Sequence, residues 1–368
     1  MTTIPDLPAG FTATFLTEQL HQHGCLPADG VVSFVSQATI GDGTGMMAEI
    51  AKLHLHYDGN QGNAPDCLIA KFASQNPTNR EIATAYNLYE RETRFLAELD
   101  PMTEVRTPAT YLSVREGDRF IILMEDLTDY DVGSQVIGAT LEQSMLAIDQ
   151  LVKLHGPFWG KVDSLDWVPH IANSYHADNM QSLASIGAEG LMEKFGDYLT
   201  PLYGQHHAAF LERLPDLQAG MDSAPVTLCH GDYRMENLLY GNQPHHDAAA
   251  VIDWQGPLRA RGMNDVALFL GQSTQIDVRR SHERALIDRY ASGLKDAGID
   301  AGDSIELWTE YRYSLLYNWV YVTVVAGTLD TSNATAFAWM AQMVARQSAV
   351  TEDLALFDQL LSPETEID

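Results

Sequence analysis

The chain is 368 residues long, with 45% hydrophobic residues and 27 glycines, which describes a folded globular protein long enough for two lobes rather than one core. Its 22 basic residues against 50 acidic ones leave a formal charge of −28. That balance argues against nucleic-acid or anionic-membrane partners, both of which require a basic face, and reads as a solvated surface that promotes solubility.

The first element is a helix over Phe11 to His23, with apolar positions at Phe11, Phe15, Leu16 and Leu20 and a stop at Gly24. Nothing before it has the basic start and apolar run of a signal peptide. Residues 31–35 and 47–57 read as strands, and between them lies Gly41-Asp42-Gly43-Thr44-Gly45. A glycine-rich turn between strands lets backbone N–H groups approach a phosphate closely, although the same residues also make a plain turn. It is neither the strand-to-helix G-x-G-x-x-G of dinucleotide folds nor a P-loop. Its place ahead of a strand lysine, Lys71 in Cys67-Leu68-Ile69-Ala70-Lys71-Phe72-Ala73, favours the phosphate-covering role.

An ammonium embedded in an apolar strand needs partners, because burying it unpaired is expensive. Thr78-Asn79-Arg80-Glu81 reads as a capping box opening a helix to about Leu99. Glu90 and Glu92 on that helix are both within reach of Lys71. The stripe Leu88, Phe95, Leu96 and Leu99 selects Glu92. Strands Thr110 to Val114 and Phe120 to Met124 follow, then Glu125-Asp126-Leu127. Composition turns polar and Gly-rich from Thr128 to Thr140, which places a lobe boundary here: 1–127 as an N-lobe with a hinge at 124–127, and 128–368 as a C-lobe. Thr140-Leu141-Glu142-Gln143 opens another helix, with His155 and Trp159 as core and cap at its end. Residues 161–224 read as helical. The pairs His206-His207 and His245-His246 lack metal-ligand spacing and read as surface.

The stretch that carries chemistry is His230-Gly231-Asp232-Tyr233-Arg234-Met235-Glu236-Asn237, followed by an apolar run that ends in Ile252-Asp253-Trp254-Gln255. Asp232 and Asn237 have the spacing of a D-x-x-x-x-N catalytic loop, and Asp253 ends the next short strand. Phosphoryl transfer needs one carboxylate to accept a hydroxyl proton. It needs a second carboxylate and an amide oxygen to hold Mg²⁺. Asp232 is the expected base, and Asn237 and Asp253 the expected metal ligands. An Asx-capped turn would share the Asp–Asn spacing alone, but not the His before it or the Ile-Asp after it. Asp265 either accepts N–H bonds from the catalytic loop or simply begins a helix, and both roles are compatible. Helices are expected at about 277–296, 303–327 and 334–361, with Tyr311, Tyr313, Tyr317, Trp319 and Tyr321 as core or, on a minor reading, a wall of the acceptor pocket. The three cysteines, Cys25, Cys67 and Cys229, are widely spaced and form no C-x-x-C, which fits a reducing compartment. The cytoplasm is the expected location.

With these residues in this order, the chain resembles the aminoglycoside phosphotransferase and choline kinase group. It looks most like the ecdysteroid-kinase-like (CHK kinase-like) branch and its bacterial relatives. Glu125-Asp126-Leu127, Leu154-His155 with Trp159, and Ile252-Asp253-Trp254-Gln255 carry the closer likeness. The resemblance implies an α+β, bilobal, protein-kinase-like fold, with an antiparallel N-lobe sheet and one main helix, and a larger, mostly helical C-lobe. It implies ATP and Mg²⁺ as cofactors and a small-molecule hydroxyl as acceptor. Asp232 carries over as base and Arg234 as the group that stabilises the transferred charge. Lys71 and Glu92 carry over as the phosphate-anchoring pair, and Gly41, Gly43 and Gly45 as the phosphate cover. Met124, Glu125 and Leu127 carry over as the adenine-binding hinge, with His230 and Asp265 as structural support. The sequence departs from protein kinases in three places. The glycine loop is G-x-G-x-G, Gly231 replaces an arginine, and Asp265 follows Asp253 by only twelve positions, leaving little room for a peptide-docking segment. Small acceptors are therefore expected, either neutral alcohols or cations of the choline or aminoglycoside type. A nucleotide-binding pseudokinase is the competing reading from another class. A dinucleotide-dependent oxidoreductase fails on the missing strand–Gly–helix order.

Overall fold

The computed structural model describes residues 4–5, 8–40 and 47–358. The expected phosphate-covering glycines Gly41, Gly43 and Gly45 lie outside the described residues. The fold is α+β, and the chain forms two compact units. The first is built from Met1–Met102, Thr107–Tyr130 and Ile252–Gly256, and the second from Thr103–Arg106, Asp131–Val251 and Pro257–Asp368.

The first unit is an antiparallel sheet with helices on it. Helix α1 (Ala13–His23) starts where the Thr12 hydroxyl accepts the Phe15 N–H, and ends at Gly24, whose φ of 84° suits a residue without a side chain. Strands β1 (Val31–Ile40), β2 (Ala48–Asp58) and β3 (Cys67–Ala73) come next. Helices α2 (Pro77–Ala85) and α3 (Leu88–Arg94) follow, then β4 (Thr110–Glu116) and β5 (Arg119–Glu125). The sheet order is β1-β2-β3-β5-β4. Leu68, Ala70 and Phe72 of β3 join Leu16 and Leu20 of α1 and Leu123 of β5 in one buried core. Side chains alternate across a strand, so Lys71 is out of phase with that core and faces the other side of the sheet.

The helix expected from Thr78 to Leu99 differs in two ways. Its cap is Asn76, whose Oδ1 accepts the N–H of Thr78 at 2.9 Å, and Pro77 takes the first helical position, where no N–H is needed. It is also broken. Asn87 adopts a left-handed φ of 55°, α3 restarts at Leu88, and Phe95–Leu99 form a wider π-turn. Tyr89 anchors the restarted helix, its hydroxyl donating to the Met47 carbonyl at 2.6 Å.

The second unit is mostly helical. After β6 (Asp131–Val132) come α4 (Leu141–Phe158), closed at its start by the Thr140–Gln143 capping box, then α5 (Tyr175–Phe195) and α6 (Pro201–Met221). Short strands β7 (Thr227–Cys229), β8 (Leu238–Tyr240), β9 (Ala249–Val251) and β10 (Leu258–Ala260) make two small antiparallel sheets, β10-β7 and β6-β8-β9. Helices α7 (Met263–Leu268), α8 (Ile276–Asp296), α9 (Ser304–Tyr317), α10 (Trp319–Thr328) and α11 (Ala334–Asp353) complete it. The expected helix over 303–327 is divided at Asn318. Its carbonyl accepts Gln272 Nε2 at 3.2 Å and its Nδ2 donates to the Asn264 carbonyl at 3.3 Å, so side-chain bonds compete with the helix ladder there. Tyr311, Tyr313, Tyr317 and Trp319 are buried core. Helices α5 and α10 touch through glycine: a Cβ on Gly327 would collide with the Gly187 carbonyl oxygen, and one on Gly187 with that of Thr323. Among the described residues no helix is long and apolar enough to cross a membrane.

Candidate active site

In the first unit, Lys71 lies opposite Ile122 of β5 and Ile50 of β2. Its Nζ is 2.6 Å from Glu92 Oε1 and 2.8 Å from Asp253 Oδ1. Lys71 is 6% exposed and Glu92 3%. Burial by itself would lower the lysine's pKa. The Asp253 and Glu92 carboxylates outweigh it and hold the ammonium above its ordinary value. Burial pushes Glu92 upward while Lys71 pulls it down. The short contacts and the second carboxylate decide for a charged lysine.

Glu90, the alternative partner, faces away and pairs with Arg115 at 3.1 Å and Arg94 at 3.6 Å. Those groups line a groove of about 280 Å³, and they neutralise one another away from Lys71. Asp253 occupies left-handed backbone with φ 65°, which is uncommon for a residue with a side chain. The next residue fixes the turn: Trp254 stacks on Phe95 with ring centres 3.7 Å apart and planes within 6°. Gln255 then donates to Glu92 Oε2 at 3.2 Å. Sequence reasoning missed this amide, because 163 positions separate it from its partner.

The expected hinge residues run off the end of β5. Glu125 exchanges two bonds with Ala109, its N–H to the Ala109 carbonyl at 2.8 Å and its carboxylate from the Ala109 N–H at 2.9 Å. Leu127 is buried and Met124 half-buried. Asp126 pairs with Lys52 at 2.6 Å and accepts from Thr128. Burial pushes its carboxyl up, but the Lys52 and Thr128 bonds outweigh this and leave it below the usual range.

In the second unit, β7 delivers His230 and Gly231 into a tight turn. Gly231 has φ 80°, a conformation that favours glycine. Asp265, fully buried on α7, accepts the N–H of His230 at 2.6 Å and of Gly231 at 3.1 Å. It also meets His155 Nε2 at 3.3 Å, and His155 Nδ1 bonds the Tyr290 hydroxyl at 2.8 Å. The loop is thus hung from the helix bundle by one carboxylate. The Asp232 N–H donates to His230 Nδ1 at 3.3 Å. Asn237, 4% exposed, donates Nδ2 to the Asp232 carbonyl at 2.8 Å and to its carboxylate at 3.0 Å. The Asp232 side chain is 47% exposed, so it is oriented by its neighbours and open to a reactant. Arg234 approaches that carboxylate at 3.3 Å and Glu236 at 3.1 Å.

Each unit therefore carries one part of the expected set. Lys71, Glu92 and Asp253 come together in the first, and His230, Asp232, Arg234, Asn237 and Asp265 in the second. The donors also suit a hard divalent cation. In the first unit Asp253 offers a carboxylate, and in the second Asn237 offers an amide oxygen, its nitrogen being taken up by Asp232; each by itself is a donor type that hard divalent cations accept.

A five-stranded antiparallel sheet with a partnered lysine, together with a helical unit carrying an Asp–Asn loop, is the fold of the kinase-like phosphotransferases. An aminoglycoside 2'-phosphotransferase-IIIa variant in complex with GDP has the same fold, with a TM-score of 0.50 at 12% identity over 95% of this chain and 96% of that one. The macrolide 2'-phosphotransferase MphH from Brachybacterium faecium gives a TM-score of 0.47 at 16% identity, over 87% and 99%. No curated protein matches the chain. The model of the ecdysteroid kinase-like family matches residues 42–301, and the chain belongs to that family.

Proposed function

We propose that this protein is an ATP- and Mg²⁺-dependent kinase that phosphorylates a hydroxyl of a small molecule. The observation that carries the reading is the buried Lys71 ammonium, held at 2.6 and 2.8 Å by two carboxylates from distant parts of the chain. Stability alone is a weak reason for a buried charge cluster of this kind, because apolar residues of similar volume often serve as well. It fits a cation kept in place for an anionic ligand, here the nucleotide phosphates. When bound, Mg²⁺ neutralises phosphate charge, and Asn237 and Asp253 are the residues to hold it. Asp232 takes the proton of the acceptor hydroxyl as its oxygen bonds the terminal phosphorus and ADP departs. Arg234 balances the charge of the transferred group. The short stretch between Asp253 and Asp265 supports a small acceptor over a peptide.

The test is phosphate transfer from ATP with Mg²⁺ to a panel of neutral alcohols and cationic amino alcohols, with Asp232→Asn as control. Transfer to at least one acceptor, lost by about three orders of magnitude in Asp232→Asn, is expected. Nucleotide binding with no transfer to any acceptor would instead establish a pseudokinase.

A further inference from the structure

Arg234 is held on three sides. Its Nε lies 3.3 Å from the Asp232 carboxylate, its Nη1 3.1 Å from Glu236, and its guanidinium carbon 5.0 Å from the ring centre of Trp339 on α11. A guanidinium between two carboxylates tends toward short, forked bonds of about 2.7–2.9 Å. Both contacts are longer than that, the one with Asp232 by more, at 3.3 Å against 3.1 Å for Glu236. A cation over an aromatic face is attracted to the ring, and the ring restricts how the planar fork can turn. Glu236 is restrained too. It accepts the Gln135 N–H at 3.1 Å, and Gln135, 1% exposed, is tied to the Gln272 carbonyl at 2.6 Å and through its own carbonyl to Arg346 of α11 at 2.5 Å.

We infer that Trp339 is a positioning residue for the reaction: by stacking on Arg234 it keeps that guanidinium from closing a tight ion pair on Asp232. Asp232 then stays open to the acceptor proton, and Arg234 to the transferred charge. This inference rests on the kinase reading above and adds to it a residue about a hundred positions downstream of the loop.

The experiment is a double-mutant cycle in the full-length protein, using Trp339→Ala, Trp339→Phe, Arg234→Ala and the Ala/Ala pair. It measures kcat and the KM for ATP with whichever acceptor the panel identifies. Trp339→Ala is expected to lower kcat about tenfold with KM for ATP within about twofold, and Trp339→Phe to restore most of the loss. In the Arg234→Ala background, Trp339→Ala should cost nothing further. The Arg234 side-chain N–H signal, assigned by its absence in Arg234→Ala, should be ring-shifted in the wild type and Trp339→Phe and move to an ordinary position in Trp339→Ala. An unchanged kcat in Trp339→Ala, the same loss in both backgrounds, or an unshifted Arg234 signal overturns the inference while leaving the kinase reading intact. A wild type inert on every acceptor overturns both.

Discussion

Replacing Lys71 with methionine keeps most of the side chain's bulk, one atom shorter, and removes the ammonium that Glu92 and Asp253 both contact. Both carboxylates bond Nζ directly, at 2.6 and 2.8 Å; water offers little compensation to Glu92, whose side chain is 3% exposed, and more to Asp253, at 35%. Breaking a fully buried ion pair by removing one partner costs about 3–5 kcal/mol, and Lys71→Met should fall at or below the lower end of that range, since Asp253 is partly solvated. Glu92→Gln in the wild-type background leaves Asp253 to neutralise the lysine and keeps a polar group near Gln255, so about 1–2 kcal/mol is expected. In the Lys71→Met background the sign should reverse, because Glu92→Gln then removes a buried carboxylate that has lost its ammonium. The assay is urea unfolding at neutral pH followed by tryptophan fluorescence, with the slope checked for constancy across the four proteins. If Glu92→Gln costs the same in both backgrounds, the three groups do not act as one buried charge cluster and the reasoning fails.

Three further outcomes follow from the geometry. Asp126→Asn should lose about 1 kcal/mol at neutral pH, since the half-buried Lys52 contact is 2.6 Å. Because the folded carboxyl sits below its ordinary value of 3.8, this contribution is complete above that pH and fades as pH falls below it, so the wild-type and mutant stability curves should converge there. Asp265→Asn has one acceptor oxygen where two are used for His230 and Gly231. Activity should drop about a hundredfold, with faster hydrogen exchange at those two amides as the structural readout; protected amides would refute the brace. Gly327→Ala should cost about 1–3 kcal/mol in thermal or urea unfolding, since its methyl meets the Gly187 carbonyl, and a neutral effect would show that α5 and α10 can part without penalty.

Much of this was legible in local sequence. The strand around Lys71 was visible because a lysine interrupts an apolar run, and the Thr140 capping box and the stop at Gly24 were visible because both are single-residue chemistry. The choice of Glu92 over Glu90 followed from the phase of an apolar stripe. Local signals failed where a competing one lay close by. The Thr78–Glu81 box matched a capping pattern, yet Asn76 ahead of Pro77 makes the better start. Asn318 reads as a tolerated helix residue until its bonds to Asn264 and Gln272 are known. Pairings across long separations, Gln255 with Glu92 or Trp339 with Arg234, leave no trace in spacing. A stacked ring and a buried ring look alike in a sequence.

The five residues Ile252–Gly256 belong to the first unit although about 120 positions of the second lie between them and Tyr130. A fragment ending at Tyr130 would lack Trp254 against Phe95 and leave Lys71 with Glu92 as its single carboxylate. During synthesis the sheet can assemble early, but its ion cluster must wait until residue 256 has left the ribosome. The unit that emerges first is thus finished late, and a chain truncated upstream of this segment should yield a protein whose sheet folds but whose lysine lacks the Asp253 carboxylate.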